Sequence, residues 1–544
     1  MKNIKSIQFN KFPLRRIIGI ITLSASVFCS DFASAQNNPV AQGSFGYYVD
    51  ANRFAQTIPT MGANARIQGI GGAATAIGGD ISSASVNPAG LGYLQRSEIT
   101  FSPSLAFLGS DATYNLGSQN IPTEDAKLNF NFAQLGGAFV LPSNNSSGYK
   151  GGAFSVSYSR LNSFHRRTSY EGTNSENSII DYFLNQADGI PWSSIYPSGG
   201  ATDLLALAYD AYLINEDFDF DNGGQNTYYS IVPIAPTLQR ETIEYSGSQS
   251  QWNFSYGGNY NDKLFFGAGL GIQSFRYKEE KRYEETVTGE PTDPSQVKSL
   301  NSLVIGENLF INGTGVNLTA GVIYRPIYAI RLGASVTTPT YFSVNDTYNA
   351  SLDALYNNFY FGDDDNQNPI ILNDVSGTTL DVESTYNMTT PLRASLGAAF
   401  FVGKFGFISA DVDFINYESS KLLSPPQEFS FTADNQTIQN LYASTMNYRL
   451  GAELRLNTFY LRGGVGLYGN TMKEDFRRED EDAFQTRISG GLGIHKKAFY
   501  IDLAVVQQTN NNVYTPYNLP DNSNPTIDIK NTTTNVVATV GFHF

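Results

Sequence analysis

From Ser97 to the last residue, apolar and polar side chains alternate with a period of two, interrupted at intervals by polar stretches. Period two is the mark of strands with one apolar face. Ile99, Phe101, Leu105 and Phe107 share a face of the first such stretch. Leu128 to Leu141 carries a second, with a slip of phase near Gln134 that predicts a bulge. Phe154, Val156 and Tyr158 mark a third, and later strands are expected near 251–260, 264–275, 309–324, 328–342, 389–402, 405–415, 442–456, 458–469, 486–496, 498–508 and 532–544. Counted in membrane-crossing units of roughly nine to eleven residues, they number about fourteen.

The connections alternate in length. Short turns are expected at Pro142–Gly148, Asn259–Lys263, Arg325–Tyr328, Gly403–Lys404, Asn457 and Lys496–Lys497. Long polar segments fall at 109–127, 161–250, 277–308, 343–388, 416–441, 470–485 and 509–531. Short turns on one side and long loops on the other are the outer-membrane barrel pattern. The last strand fits it: Val536, Ala538, Val540, Phe542 and Phe544 form one apolar face ending in a terminal aromatic. Such an ending resembles the signal read by the outer-membrane barrel assembly machinery, which makes that machinery an expected partner.

Ahead of the alternation lies Met61 to Leu94, rich in Gly, Ala and Ser and nearly free of charge. Its glycines interrupt any helix, yet it is too apolar to lie in water, so it should be enclosed by the strands that follow. It closes on Asn87, Pro88, Ala89, Gly90 and Leu91 after the small-residue run Gly71 to Gly79. This combination resembles the FadL-type outer-membrane transporters of long-chain fatty acids and other hydrocarbons. There an N-terminal hatch with an Asn-Pro-Ala-Gly motif plugs a fourteen-stranded barrel. A weaker echo lies at Thr390-Pro391-Leu392-Arg393.

The N-terminus reads as a secretory signal peptide over residues 1–35, with Lys2, Lys5, Lys11, Arg15 and Arg16 before an apolar run and Ala33-Ser34-Ala35 at the cleavage site. The expected order is therefore signal peptide, extension and hatch over 36–96, and barrel over 97–544. The single cysteine, Cys29, falls inside the signal, and the bulky Phe28 before it suits lipidation poorly, so the mature chain holds no disulfide. The net charge is −15, and residues 1–35 contribute +5 − 1 = +4, leaving −19. Nucleic acid is excluded as a partner on that balance.

Within loop 161–250, Asn177 to Gln186 and Asp203 to Leu213 have helical spacing, and Leu204, Leu205, Ala208 and Tyr212 fall on one stripe. The residue pattern alone fits a cap packed on its own loop; the resemblance implies a groove that captures hydrophobic substrate. Along the strands, parity turns Arg331, Arg393, Asp411, Asp413, Arg449, Glu453, Arg455, Arg462, Arg487 and Asp502 away from lipid, where charge is costly. Two roles are open to them: a salt-bridge lattice, or a substrate carboxylate site using one or two of Arg393, Arg449, Arg462 and Arg487.

Other motifs carry less. Gly69-x-Gly71-x-x-Ala74 follows no strand and is no dinucleotide fingerprint. Asp217, Asp219 and Asp221 precede Gly223 at a spacing one residue off a calcium loop, and Asp363–Asp365 is a further acidic cluster. His165, His495 and His543 are scattered, no metal ligand set or cofactor is expected, and no nucleophile with a base assembles. The expectation is an all-β outer-membrane barrel, not an enzyme, with outer-membrane lipid around it, taking up hydrophobic compounds, long-chain fatty acids first, by passive diffusion down a gradient. The alternative implied by the same resemblance is a FadL-like barrel serving type IX protein secretion or surface adhesion; a polar-solute porin fits less well, because the hatch would obstruct it.

Overall fold

The computed structural model describes residues 46–544 apart from 117–118, 146, 197–199, 218–225, 364–365, 425–429 and 478–480. The signal peptide, Cys29, and Asp219, Asp221 and Gly223 of the acidic loop lie outside the described residues.

Fourteen antiparallel strands close on themselves. In order they are β1 (Glu98–Leu116), β2 (Gln119–Pro142), β3 (Tyr149–Ser163, continuing as Arg166–Asn174), β4 (Thr237–Tyr260), β5 (Leu264–Val287) and β6 (Leu300–Ile327). Next come β7 (Ile330–Thr337, continuing as Tyr341–Asp363) and β8 (Pro369–Thr378, Val382–Thr389 and Arg393–Phe401). The circuit is completed by β9 (Gly406–Asn416), β10 (Ser444–Leu456), β11 (Phe459–Gly469), β12 (Phe484–His495), β13 (Phe499–Tyr514) and β14 (Thr526–His543). β14 pairs with β1 from His543↔Glu98 to Thr526↔Asn115, and this seam removes the last sheet edge.

The short turns fall where expected, and their chemistry explains them. Asn261 and Asp262 both take positive φ, 55° each, the conformation of a primed hairpin turn, and Asn457 does so at 58°. The predicted slip of phase is a bulge. Ser102 pairs with Gln134 and Pro103 with Phe132, leaving Ala133 as the extra residue. Its effect is visible in the side chains: Leu128, Phe130 and Phe132 face outward before it, Phe139 and Leu141 after it.

The outward face is an apolar belt. Phe101, Phe266, Leu332, Leu396, Leu450 and Leu503 are all exposed, and comparable side chains continue around the wall. A contiguous apolar surface of this extent requires lipid. Tyr149, Tyr260, Tyr328, Phe405, Phe459 and Phe544 are also exposed and sit beside the short turns, forming an aromatic girdle at that end. The fold is thus a transmembrane β-barrel; no described helix is long and apolar enough to cross a membrane.

The long polar segments differ from expectation in one respect: much of 109–127, 277–308 and 343–388 is strand rather than loop. β4 and β5 each run 24 residues and β6 runs 28, well beyond a membrane-crossing length. Over the projecting part both faces meet water or protein, so the outward apolar positions vanish and the segment reads as loop. The long-loop end also carries the expected helices, α4 (Ile179–Ala187) and α6 (Leu204–Asp210), with the short α5 (Trp192–Ile195) between them. Ser178 caps α4 and Asp203 caps α6, each side chain accepting from the first turn. A further helix, α7 (Thr432–Leu441), precedes β10.

The N-terminal segment enters through α1 (Tyr47–Ala55) and continues as α2 (Ala65–Gly69), α3 (Ser83–Val86) and a 3-10 turn, Pro88–Tyr93. Almost every residue from 62 to 92 is buried. Wall glycines on six strands make the room. A methyl group at Gly257 (β4) would lie 2.9 Å from Leu91 Cβ, and one at Gly267 (β5) 2.5 Å from the Ala89 amide. At Gly333 (β7) and Gly397 (β8) it would lie 2.8 Å from Ala76 Cα and Thr75 Cβ. At Gly451 (β10) and Gly464 (β11) it would meet Ile70 and Gly71. The segment is therefore ringed by the wall.

Candidate functional site

The closing motif is built into this packing. The Asn87 side chain donates to Thr75 O (2.7 Å) and accepts from the Ala89 amide (3.2 Å), joining two turns of the segment. Ala89 and Leu91 are fully buried. Gly90 needs no left-handed backbone; its constraint is space, because a Cβ there would lie 2.8 Å from Ser83 Cβ and 2.9 Å from Gly78 Cα. Positive φ is required earlier, at Gly78 (65°) and Gly79 (73°), where the chain reverses to bond Gly79 N to Gly90 O.

The inward charges resolve into two lattices. In one, Glu453 accepts from Arg66 (3.0 Å), Arg455 (2.8 Å) and Arg462 (2.9 Å), while Arg462 also reaches Asp502 (2.6 Å), itself bonded to His495 (2.9 Å). Arg66 belongs to the N-terminal segment and faces Asp80 at 3.5 Å, so this lattice ties segment to wall. In the other, Arg449 grips Asp413 through two bonds (2.5 and 2.7 Å), and Asp411 accepts from the Thr75 amide (2.8 Å). Arg449 and Arg462 are thus engaged by protein carboxylates and buried, which removes them from a substrate carboxylate site. Arg393 and Arg487 form no ion pair among the described residues. Arg393 donates to the Thr57 carbonyl, and Arg487 to Gln508 (2.7 Å). Arg331, inward as expected, donates to Ile77 O and lies 4.1 Å from each of the Tyr93 and Phe401 rings.

The loop helices form a cap with its own core. Ala208 is fully buried, and Leu204, Leu205 and Tyr212 pack against the same cluster. These four do not line an open groove, because the stripe α6 buries, Ala206 to Ala208, turns toward the strand extensions. An open apolar cleft lies instead along α4, with a volume of about 750 Å³. Ile180 and Leu184 form one side, Ile231 to Ala235 the second, and Val297, Leu300 and Phe359 the third. Ile234 and Val297 are exposed at its rim. The cleft is not legible in the sequence because its walls come from four distant segments; only α4 is. Glu285 fixes α4 in place, accepting from Ser178 Oγ (2.5 Å), the Ile179 amide (3.0 Å), Tyr283 (2.6 Å) and Gln239 (2.9 Å).

The wall itself is interrupted at one level in two adjacent strands. Thr337↔Arg393 and Tyr341↔Thr389 are paired, but 338–340 in β7 and 390–392 in β8 lie outside the ladder. Each interval contains a proline, Pro339 or Pro391, which has no amide to donate. Behind the interruption is a small cavity, about 30 Å³, lined by Thr337, Thr340, Thr390, Pro391, Arg393 and Thr57 among others.

At the opposite end of α1, Asp50 bonds Arg53, whose guanidinium also lies 3.7 Å from Glu279 and 4.2 Å over the Tyr277 ring. Burial pushes the Asp50 carboxyl up to about 7; Arg53 opposes this but is shared with Glu279, which adds repulsion. A carboxyl raised above its unfolded value of 3.8 contributes its stabilisation fully below that pH and loses it as pH rises through about 7. The protection factors of the α1 amides, that is, their exchange rates corrected for the base-catalysed intrinsic rate, are therefore expected to be lower at pH 8.5 than at pH 5.5, with Asp50→Asn abolishing the difference. Equal protection factors in the parent protein at both pH values would contradict this.

No family profile matches this chain, and no curated protein sequence matches it. Solved structures of similar architecture exist. A FadL homologue of Pseudomonas aeruginosa aligns over 89% of this chain and 98% of its own, at 13% identity and a TM-score of 0.47. The toluene transporter TodX of P. putida aligns over 89% and 99%, at 12% identity and 0.46. The toluene transporter TbuX of Ralstonia pickettii aligns over 89% and 99%, at 15% identity and 0.42. The fold stands on the strand pairing described above, and no site residue is transferred from these proteins.

Proposed function

We propose that the protein sits in the outer membrane and passes hydrophobic compounds inward by diffusion, long-chain fatty acids being the first substrate class to test. The observation that supports this most is the apolar cleft held by the cap above a lipid-belted barrel whose lumen contains the N-terminal segment. Burial of a chain there is worth about 0.8 kcal/mol per CH₂, enough for capture without a specific headgroup contact. The N-terminal segment acts as the hatch. The paired interruptions at Pro339 and Pro391 are the proposed route from lumen to lipid, which opens by breaking the two bonds that bridge them, Thr390 N to Thr340 O (3.1 Å) and Thr340 N to Thr390 Oγ1 (2.9 Å).

Val297→Asp with Ile234→Asn places polar groups on the cleft rim without touching the core. Each aliphatic side chain withdrawn from the ligand is worth about 1.5 kcal/mol, so with two withdrawn the uptake of a labelled fatty acid at limiting concentration is expected to fall roughly a hundredfold. Uptake equal to wild type would remove the cleft from the route. Pro339→Ala with Pro391→Ala restores two amide donors to the wall. It is expected to slow release of bound fatty acid into the membrane severalfold while leaving capture unchanged; unaltered release kinetics would exclude this exit. Acyl chains enriched over bulk membrane in lipid extracted from the purified protein support transport, whereas a co-purifying secretion component supports the secretion role.

A further inference from the structure

Between α1 and the inner faces of β3 to β5 and β10 to β13 lies a second cavity, about 360 Å³, whose chemistry is the reverse of the cleft's. Amides face it from both sides, Asn52 and Gln56 from α1 and its exit, and Gln485, Gln508 and Asn512 from the wall. Tyrosine rings, among them Tyr245, Tyr277 and Tyr468, supply flat surfaces between the amides. The volume is that of a small-ligand site.

The charge is equally distinctive. Arg166 lines the chamber, and its side chain makes no ion pair or hydrogen bond among the described residues. Arg487 stands behind two lining residues, donating to Gln508 at 2.7 Å with its guanidinium 5.0 Å from the Tyr468 ring centre. Arg53, the third arginine, is neutralised by Asp50 and Glu279. Among the described lining residues the carboxylate is Glu481, which accepts from Asn470 at 3.1 Å. A chain of net charge −15 thus presents to this chamber, at Arg166, a guanidinium with no carboxylate partner among the described residues.

Two lining side chains point to a ligand. Tyr468 is 5% exposed and Asn52 4%, yet Tyr468 OH and Asn52 Oδ1 have no hydrogen-bond partner, and neither has Arg487 Nε. Buried polar atoms left unpaired are costly, and a hydrocarbon cannot pair them. We propose that the chamber binds an anionic, polyhydroxylated small molecule of the sugar-acid class. Its carboxylate meets Arg166, its hydroxyls meet the lining amides, Gln508 among them, and Tyr468 OH, and its ring lies on a tyrosine face. This site is separate from the apolar cleft and does not depend on hydrophobic uptake.

The test is calorimetry on the purified mature protein in detergent, with glucuronate, glucose and octanoate as probes. Saturable glucuronate binding is expected, with glucose roughly tenfold weaker for want of the charge. Octanoate, which has the charge without the hydroxyls, is expected not to displace it. Arg166→Gln should remove the preference over glucose, and Gln508→Leu, which keeps every charge, should weaken glucuronate severalfold. Native heat-modifiable mobility establishes that each variant is folded. No saturable heat with glucuronate, displacement by octanoate at equal concentration, or unchanged binding in folded Arg166→Gln would each overturn the proposal. Fatty-acid uptake should be untouched in Arg166→Gln, so failure here and failure of the transport reading give different results.

Discussion

Gly90→Val is expected to give a barrel of normal amount and mobility that leaks. The substituted side chain would occupy space held by Ser83 and Gly78, 2.8 and 2.9 Å from where its Cβ must lie. Overpacking of this kind costs about 1–3 kcal/mol, and here the strain falls on the turn that leads into the first strand. The wall has its own continuous ladders and need not respond. The N-terminal segment is then displaced, and planar-bilayer conductance rises several-fold over wild type. Deleting Met61 to Ala84 should raise it further. Gly90→Ala, with two fewer methyl groups, should show a smaller rise. A Gly90→Val barrel of native mobility and wild-type conductance would mean that the enclosed segment does not control passage.

Glu453→Gln is expected to be the most destabilising single change. One carboxylate serves three guanidinium groups, and two of these, on Arg66 and Arg462, are largely shut away from water. Removing its charge leaves those cations underpaired at low dielectric, a loss of about 3–5 kcal/mol for a broken buried pair. Glu171→Gln makes the same chemical change in the exposed pair with Arg240, where about 0–1 kcal/mol is expected. Thermal unfolding followed by electrophoretic mobility separates the two cases. Equal midpoints would show that the lattice is solvated and carries little stability. Because Arg66 belongs to the N-terminal segment, Glu453→Gln should also share part of the leak of Gly90→Val.

The wall is legible in the sequence because lipid imposes one rule on every crossing strand. Ile99, Phe101 and Phe107 face lipid, Thr100, Ser102 and Ser104 do not, and even the bulge at Ala133 announces itself as a slip of phase. The rule ends where the lipid ends. Beyond Tyr277 the run Lys278 to Glu285 is mostly charged on both faces and reads as loop, though it is ladder throughout. Parity also gives the inward direction of the arginines but not their partners. Glu453 stands directly opposite Arg462 across the Asn457 turn, a pairing that strand register could have supplied. Asp411 opposite Arg449 lies across a long loop, and no local signal fixes that register. The stripe on α6 fits a cap, and only the resemblance implies an open groove, since helical spacing tells which residues share a face and not what lies on it.

The strand extensions carry one more consequence. β6, with its 28 residues, has a contour length of about 92 Å. Tilted by about 40°, it stands about 70 Å tall, of which the lipid belt takes about 25 Å. Most of the remainder rises on the long-loop side, so the cleft is carried on a stalk some way above the bilayer surface. Its mouth therefore opens above the headgroups, and the rate at which it meets a ligand is set by the ligand's concentration in water rather than in the bilayer.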